Sequence, residues 1–353
     1  MASKEIVYKT VGEDNAYEVC VMCNKPIDLV LPWVDGQDPA WRAEKNKYDP
    51  MHRASEVRFE SWDNLQYVFR GIEKNMPWIH RVFLVTWGHI PKWLNTSCEK
   101  LSIVKHSDYI PAWYLPTFNS NVIEMNYFRI QELGENFILF NDDLFPIRPI
   151  PEEYYFQNDL PCEEAVETHF ILKAEKGMDL QMIYACVNNM VLLNRNFDKR
   201  EVVKANHEKW FDQVYGERLE QNRNLQFWNN FESFVYPHEA MPMKKSVLKE
   251  IWEKEPEALH EASKNKFRAH SDITQRLVTM WQICSGNFAP HKYRGRMILI
   301  DRDNCQEAVD VIKNGTCPIL SLNEMSTEDF DMVKSAVNSA LEEILPEKSM
   351  FEK

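Results

Sequence analysis

The sequence predicts an α/β fold, a layered core with a mainly parallel sheet and a helical C-terminal half. Three observations predict it. Short apolar runs recur at 26–32, 79–88, 101–110 and 136–140, each the length of a buried strand. Helical periodicity fills two of the gaps between them. From 238 to 284, and again near the end, the pattern is mainly helical.

The elements follow in order. Residues 1–25 read as a polar lead-in. "PIDLVLPWVDG" (26–36) reads as a short buried strand stopped by Pro32-Trp33 and an Asp35-Gly36 turn. Over 58–75, Leu65, Val68, Phe69 and Ile72 fall on one helical face, with Ser61 or Asp63 as caps. "IHRVFLVTWG" (79–88) and "LSIVKHSDYI" (101–110) read as strands two and three. Residues 120–133 read as a helix capped by Ser120, and "NFILFNDD" (136–143) as a fourth strand. Residues 152–235 are mixed, with a strand expected at "MVLLN" (190–194). A helix is expected to open near Asp272, and 328–344 is strongly amphipathic. No repeat or low-complexity linker divides the chain. The expectation is one domain over 26–345, with a variable spacer at 152–235 and a tail at 346–353. The element order is Rossmann-like, and such sheets bind ligands at the carboxyl ends of their strands.

Composition narrows the function. The 353 residues suffice for a substantial core, and the net charge of -13 disfavours general nucleic-acid binding. Glycine numbers only 10, and no Gly-rich phosphate loop is present, so phosphate contacts must come from side chains, a metal or helix N-termini. No run of 18 apolar residues exists, and "MASKEIVYKT" lacks the parts of a signal peptide, so a soluble cytoplasmic protein is expected. The eight cysteines then read as reduced thiols. Cys20 and Cys23 form a CxxC without a second pair at zinc-site spacing.

The chemistry concentrates at "FILFNDDLFPIRPI" (137–150), where an apolar strand ends in Asn141-Asp142-Asp143. Adjacent carboxylates repel unless something positive compensates them. A hard divalent cation with a bound diphosphate does so, as at the Asp-x-Asp of GT-A glycosyltransferases, hence a GT-A-like reading of the core. Asp28 sits in the first apolar run and needs a partner there. Asp35 and Gly36 end that run, either as a plain turn or beside a nucleotide. Arg58, Arg129, Arg268 and Lys292 are candidates for diphosphate contacts, because a guanidinium can fork onto two phosphate oxygens. His238 and His270 are candidate bases, and His270 lies two residues from both Arg268 and Asp272, a carboxylate that could orient it.

Four blocks, in order, resemble the Stealth family of sugar-1-phosphate transferases. They are "IDLVLPWVDGQDPAW" (27–41); "RFESWDNLQYVFRGIEKNMPWIHRVFLVTWGHIPKWLN" (58–95) through "LPTFNSNVIEMNYFRIQELGENFILFNDDLF" (115–145); "HEAMPMKKSVLKEI" (238–251) with "FRAHSDIT" (267–274); and "ILSLNEMS" (319–326) with "LPEKSMFE" (345–352). The family includes bacterial capsular polysaccharide phosphotransferases and the catalytic subunit of the lysosomal-enzyme GlcNAc-1-phosphotransferase. One departure is Leu322-Asn323-Glu324, where the family usually reads Leu-Asn-Asp. The resemblance implies transfer of sugar-1-phosphate from a UDP-sugar, such as UDP-GlcNAc, to a glycan hydroxyl, with release of UMP. It implies Mg2+ (or Mn2+) at Asp142 and Asp143 and a cytoplasmic bacterial enzyme that visits the membrane face. It places Asp28, Asp142, Arg268 and His270 in catalysis, with His270 as base. It places Trp33, Asp35, Gly36, Arg58, Asn119, Asn121, Glu124, Arg129 and His238 against the donor, with Trp33 or Trp62 stacking on a ring. Two alternatives stand beside this: a GT-A-type glycosyltransferase that releases UDP, and a non-catalytic carbohydrate-binding protein.

Overall fold

The computed structural model describes residues 8–10, 17–19, 25–49, 61–170, 180–324 and 329–353. Arg58, Cys20 and Cys23 lie outside the described residues, as does the side chain of Glu324.

A five-stranded sheet forms the centre. Its spatial order is Met241–Lys244, Asn136–Leu139, Ile27–Pro32, Val82–Thr86, Leu101–Lys105. The last four run parallel, and Met241–Lys244 pairs antiparallel at the edge. The three central strands are buried on both faces, as their continuous apolar runs require. Leu29, Val30, Leu31, Val82, Leu84, Val85 and Ile138 have no exposed surface. Each such side chain contributes about 1.5–3 kcal/mol on burial.

One face is covered by the helix Leu65–Asn75, which buries Leu65, Val68, Phe69 and Ile72 as its periodicity predicts. That helix follows Asn64. Ser61 and Asp63 do not cap it: Ser61 donates to Asp63, and Asp63 pairs with Lys334. Residues 346–353 pack onto the same layer. Phe351 lies 5.1 Å from Phe69, and Arg70 forks onto Glu352 at 2.9 and 3.0 Å. The other face carries helices Lys245–Lys254, Pro256–Ser263 and Arg276–Cys284, the helical half expected from the sequence.

Three expectations change. The run 190–194 is not a strand but part of the helix Leu180–Asn196, whose exposed Val187 and Val191 hide its true face. The 120–133 helix ends at Met125 and continues as a 3-10 turn, Tyr127–Arg129. Its cap is Asn119 rather than Ser120, through a bond accepted from Asn121 N. The helix expected at Asp272 begins at Arg276. A second sheet also appears: Arg296–Ile300 lies parallel to Ile319–Glu324, which pairs antiparallel with Leu144–Pro146. Because Leu144–Pro146 directly follows Asn141-Asp142-Asp143, the acidic stretch is a tight link between two sheets. No helix among the described residues is long and apolar enough to cross a membrane.

Candidate active site

The carboxyl ends of the parallel strands open toward three short segments: 33–36, 87–89 and 141–143. In 33–36, Trp33 N donates to Val85 O, which continues the sheet for one residue. The Asp35 carboxylate accepts from Gln37 N at 2.9 Å, an Asx turn, and Gly36 is buried beneath it. Asp35 N donates to His89 Nε2 at 2.8 Å, and the Trp33 ring meets His89 edge-on at 5.2 Å. Burial holds the His89 pKa below its ordinary value, against the pull of Asp38 and Asp35. Its Nδ1 is buried without a hydrogen-bond partner.

Asp143 is the meeting point of the site. Its Oδ2 accepts from Asn323 Nδ2 at 2.6 Å and lies 3.1 Å from His238 Nε2. Asn323 arrives because Ile319–Glu324 pairs with Leu144–Pro146. His238 arrives because it lies three residues before the edge strand Met241–Lys244. With Nε2 facing a carboxylate, the ring's proton belongs on Nε2, which leaves Nδ1 as the basic lone pair. Asp143 Oδ1 is buried and has no hydrogen-bond partner, whereas Asp142 is exposed.

Glu124 and Arg268 are joined by the backbone. Phe118 N donates to Lys266 O, Thr117 Oγ1 to Asn265 O and Asn119 Nδ2 to Phe267 O, and Phe118 stacks on Phe267 at 5.3 Å. This seam sets the short helix Ser120–Met125 beside residues 265–272. Burial raises the Glu124 pKa to about 8, and the Arg268 charge opposes the shift. Glu124 Oε2 is buried without a hydrogen-bond partner.

Several expected residues stand elsewhere. Asp28 lies at the amino end of its strand, the opposite end from Asp143. There it accepts from Gly134 N at 2.7 Å and pairs with His80 Nδ1 at 2.8 Å. A Cβ on Gly134 would stand 2.9 Å from Asp28 Oδ2, so glycine permits that approach. Asp28 therefore ties strand starts together rather than meeting the donor. Asn119 and Asn121 donate to the buried carboxylate of Asp272, which Asn265 also reaches at 2.7 Å. Asp272 is thus occupied and does not orient His270. The His270 ring is exposed and lies 4.3 Å from that of Tyr184. Arg129 sits over the Phe128 and Trp252 rings at 4.5 and 4.7 Å and donates to Asn126, a packing role. Lys292 is exposed near Gly216. Trp62 packs on Phe330 at 5.0 Å.

Sequence reasoning missed His89, Asn323's bond to Asp143, and Tyr236 with Arg276. The Arg276 guanidinium carbon lies 3.5 Å from the Tyr236 ring centroid. Burial raises the Tyr236 pKa, Arg276 opposes, and the charges of Glu124 and Asp143 add to the rise.

The site suits anionic chemistry. Hard cations such as Mg2+ take oxygen ligands and are held through one or two carboxylates plus substrate phosphates. Asp142 and the unpartnered Asp143 Oδ1 fit that demand. Among the described residues no group of three or more His, Cys, Asp or Glu forms a ready cage, so such an ion would need phosphate oxygens to complete its shell.

The comparisons follow the same segments. The family descriptions "Stealth protein CR1, conserved region 1", "CR2, conserved region 2" and "CR3, conserved region 3" match residues 25–53, 58–163 and 237–274. Asp143 lies in the second region, and His238 and Arg268 in the third. The chain is 38% identical over 333 residues to the capsular polysaccharide phosphotransferase WcwK of Streptococcus pneumoniae, covering 93% of this chain and 99% of that one. It is 32% identical over 332 residues to the exopolysaccharide phosphotransferase cps2G of Lactiplantibacillus plantarum, covering 93% and 96%. It is 32% identical over 339 residues to the receptor polysaccharide phosphotransferase WefC of Streptococcus oralis, covering 92% and 99%. Matched along nearly their whole length and across the segments that build the site, the chain belongs to the Stealth family of phosphotransferases.

Proposed function

We propose that the protein transfers a sugar-1-phosphate from a UDP-sugar to a hydroxyl of a growing capsular or cell-surface glycan, forming a phosphodiester and releasing UMP. The observation that carries this reading is the His238–Asp143 contact at the carboxyl end of the sheet, with Asn323 on the same oxygen. It supplies an oriented base beside an acidic strand end, in a chain whose relatives are named polysaccharide phosphotransferases.

In this reading the acceptor oxygen attacks the phosphorus that carries the sugar. The new oxygen–phosphorus bond forms as the bond to the bridging diphosphate oxygen breaks, and that oxygen leaves with UMP. His238 Nδ1 takes the acceptor's proton, while Asp143 holds Nε2 and stabilises the imidazolium that results. Arg268 bears on the negative charge of the phosphoryl oxygens and the leaving phosphate. Glu124, protonated near neutrality with its Oε2 unpartnered, would offer hydrogen bonds to sugar hydroxyls. Trp33, Asp35 and Gly36, just past the neighbouring parallel strand, would contact the donor from that side. Mg2+ (or Mn2+) at Asp142 and Asp143 would neutralise diphosphate charge when bound. We assign the work to the cytoplasm, at the inner face of the membrane where such glycans grow, reached by peripheral association.

The test is the nucleotide product. The protein is incubated with UDP-sugars, Mg2+ and a bacterial glycan acceptor, and nucleotides are resolved by chromatography. UMP appearing with a glycan phosphodiester supports the reading, and UDP in its place overturns it.

A further inference from the structure

Arg276 opens the helix Arg276–Cys284 and is half-buried. Its guanidinium lies over the Tyr236 ring at 3.5 Å, and Nη1 reaches Cys186 Sγ at 3.8 Å. It forms no ion pair with any described carboxylate, unlike Arg70, Arg195 and Arg218, which each bind a buried Glu. Withdrawing a guanidinium from water without an anion is costly. A planar guanidinium stacked on a ring nevertheless keeps its edge donors available for a forked contact.

The surroundings tie Arg276 to the same site. Tyr236 lies two residues before His238, the histidine bound to Asp143. Next to Arg276, Gln275 Oε1 is buried without a hydrogen-bond partner, as are Glu124 Oε2 and Asp143 Oδ1. The Arg268 charge is felt at Glu124, and Arg276 lies on Tyr236, two residues before His238. Two separated guanidiniums suit a ligand with charge on two adjacent phosphorus centres.

We propose that Arg276 is a second diphosphate-binding residue of this site, and that Tyr236 positions it by stacking. The inference rests on the donor being a nucleoside diphosphate sugar.

The test is a phosphate series measured by calorimetry with Mg2+ present: uridine, UMP and UDP against wild type, Arg276→Ala, Arg276→Lys, Tyr236→Phe and Tyr236→Leu. Arg276→Ala is expected to weaken UDP binding about tenfold or more, UMP less, and uridine not at all. Arg276→Lys should fall between, since it keeps charge but loses the fork. Tyr236→Leu should reproduce the graded loss, and Tyr236→Phe should not. Equal weakening of all three ligands, or none, would make Arg276 a packing residue and overturn the proposal. Should Arg276→Ala fail to fold, the gradient in Arg276→Lys and Tyr236→Leu decides, and its absence there overturns it equally. A wild type that does not bind UDP would overturn the donor reading, and this inference with it. Wild-type binding left unchanged in the variants overturns this inference alone.

Discussion

Glu124→Gln separates a buried, proton-holding carboxyl from an ordinary glutamate. Burial moves the Glu124 pKa from 4.5 to about 8. Below the unfolded pKa both states hold the proton, and this group adds no pH dependence. Between the two values the unfolded chain has released its proton while the folded one retains it, so rising pH destabilises the fold. Above about 8 both states are ionised and the slope disappears. From pH 5 to 8, at roughly 1.4 kcal/mol per unit, the loss is on the order of 4 kcal/mol. With ~2.1 cal/mol/K of unfolding entropy per residue over 353 residues, that is about 5 °C in Tm. The glutamine cannot ionise, and its own amide costs are the same at every pH. Melting wild type and Glu124→Gln at pH 5, 6, 7 and 8 should show the variant gaining about 5 °C on wild type as pH rises. Glu163, raised to about 8, and Glu239, raised to about 7, leave a slope of the same sign in both proteins. Parallel melting curves would refute the argument, because Glu124 would then titrate as if solvated.

Other consequences are equally direct. His238→Gln should lower turnover about a hundredfold or more with Tm nearly unchanged, whereas His270→Gln, altering an exposed ring, should stay within a few-fold of wild type in steady-state assays. Asp28→Ala leaves Gly134 N and His80 unpaired and should cost about 1–3 kcal/mol in denaturant unfolding while substrate affinity is kept. Chelation with EDTA should abolish turnover and added Mg2+ restore it, with Asp143→Asn failing to respond.

The parallel sheet was legible because its strands are buried on both faces and read as unbroken apolar runs. The helix Leu65–Asn75 was legible because its apolar residues keep a 3.6 period. Other elements broke those rules. The Leu180–Asn196 helix buries Asn189 and exposes Val187 and Val191, so its dense apolar end imitated a strand. In Arg296–Ile300 only Ile298 and Ile300 are buried, too short an alternation to separate from a loop. The acidic strand end was found from its chemistry, but its partners were not. His238 is 95 residues away and Asn323 is 180 away, and spacing carries no trace of contacts that two sheets create. Asp28 signalled that it needed a partner. It could not signal that the partners, His80 and Gly134, gather at the far end of the sheet. Likewise the nearness of Asp272 to His270 in sequence misled, because three asparagines claim that carboxylate first.

The central claim is that phosphorus, not sugar carbon, is the centre attacked. The direct measurement is to follow a radiolabelled β-phosphate in the UDP-sugar donor through turnover with a glycan acceptor. The account predicts that the label enters the glycan and that the released nucleotide is unlabelled UMP. Label recovered in UDP, with none in the glycan, would contradict it.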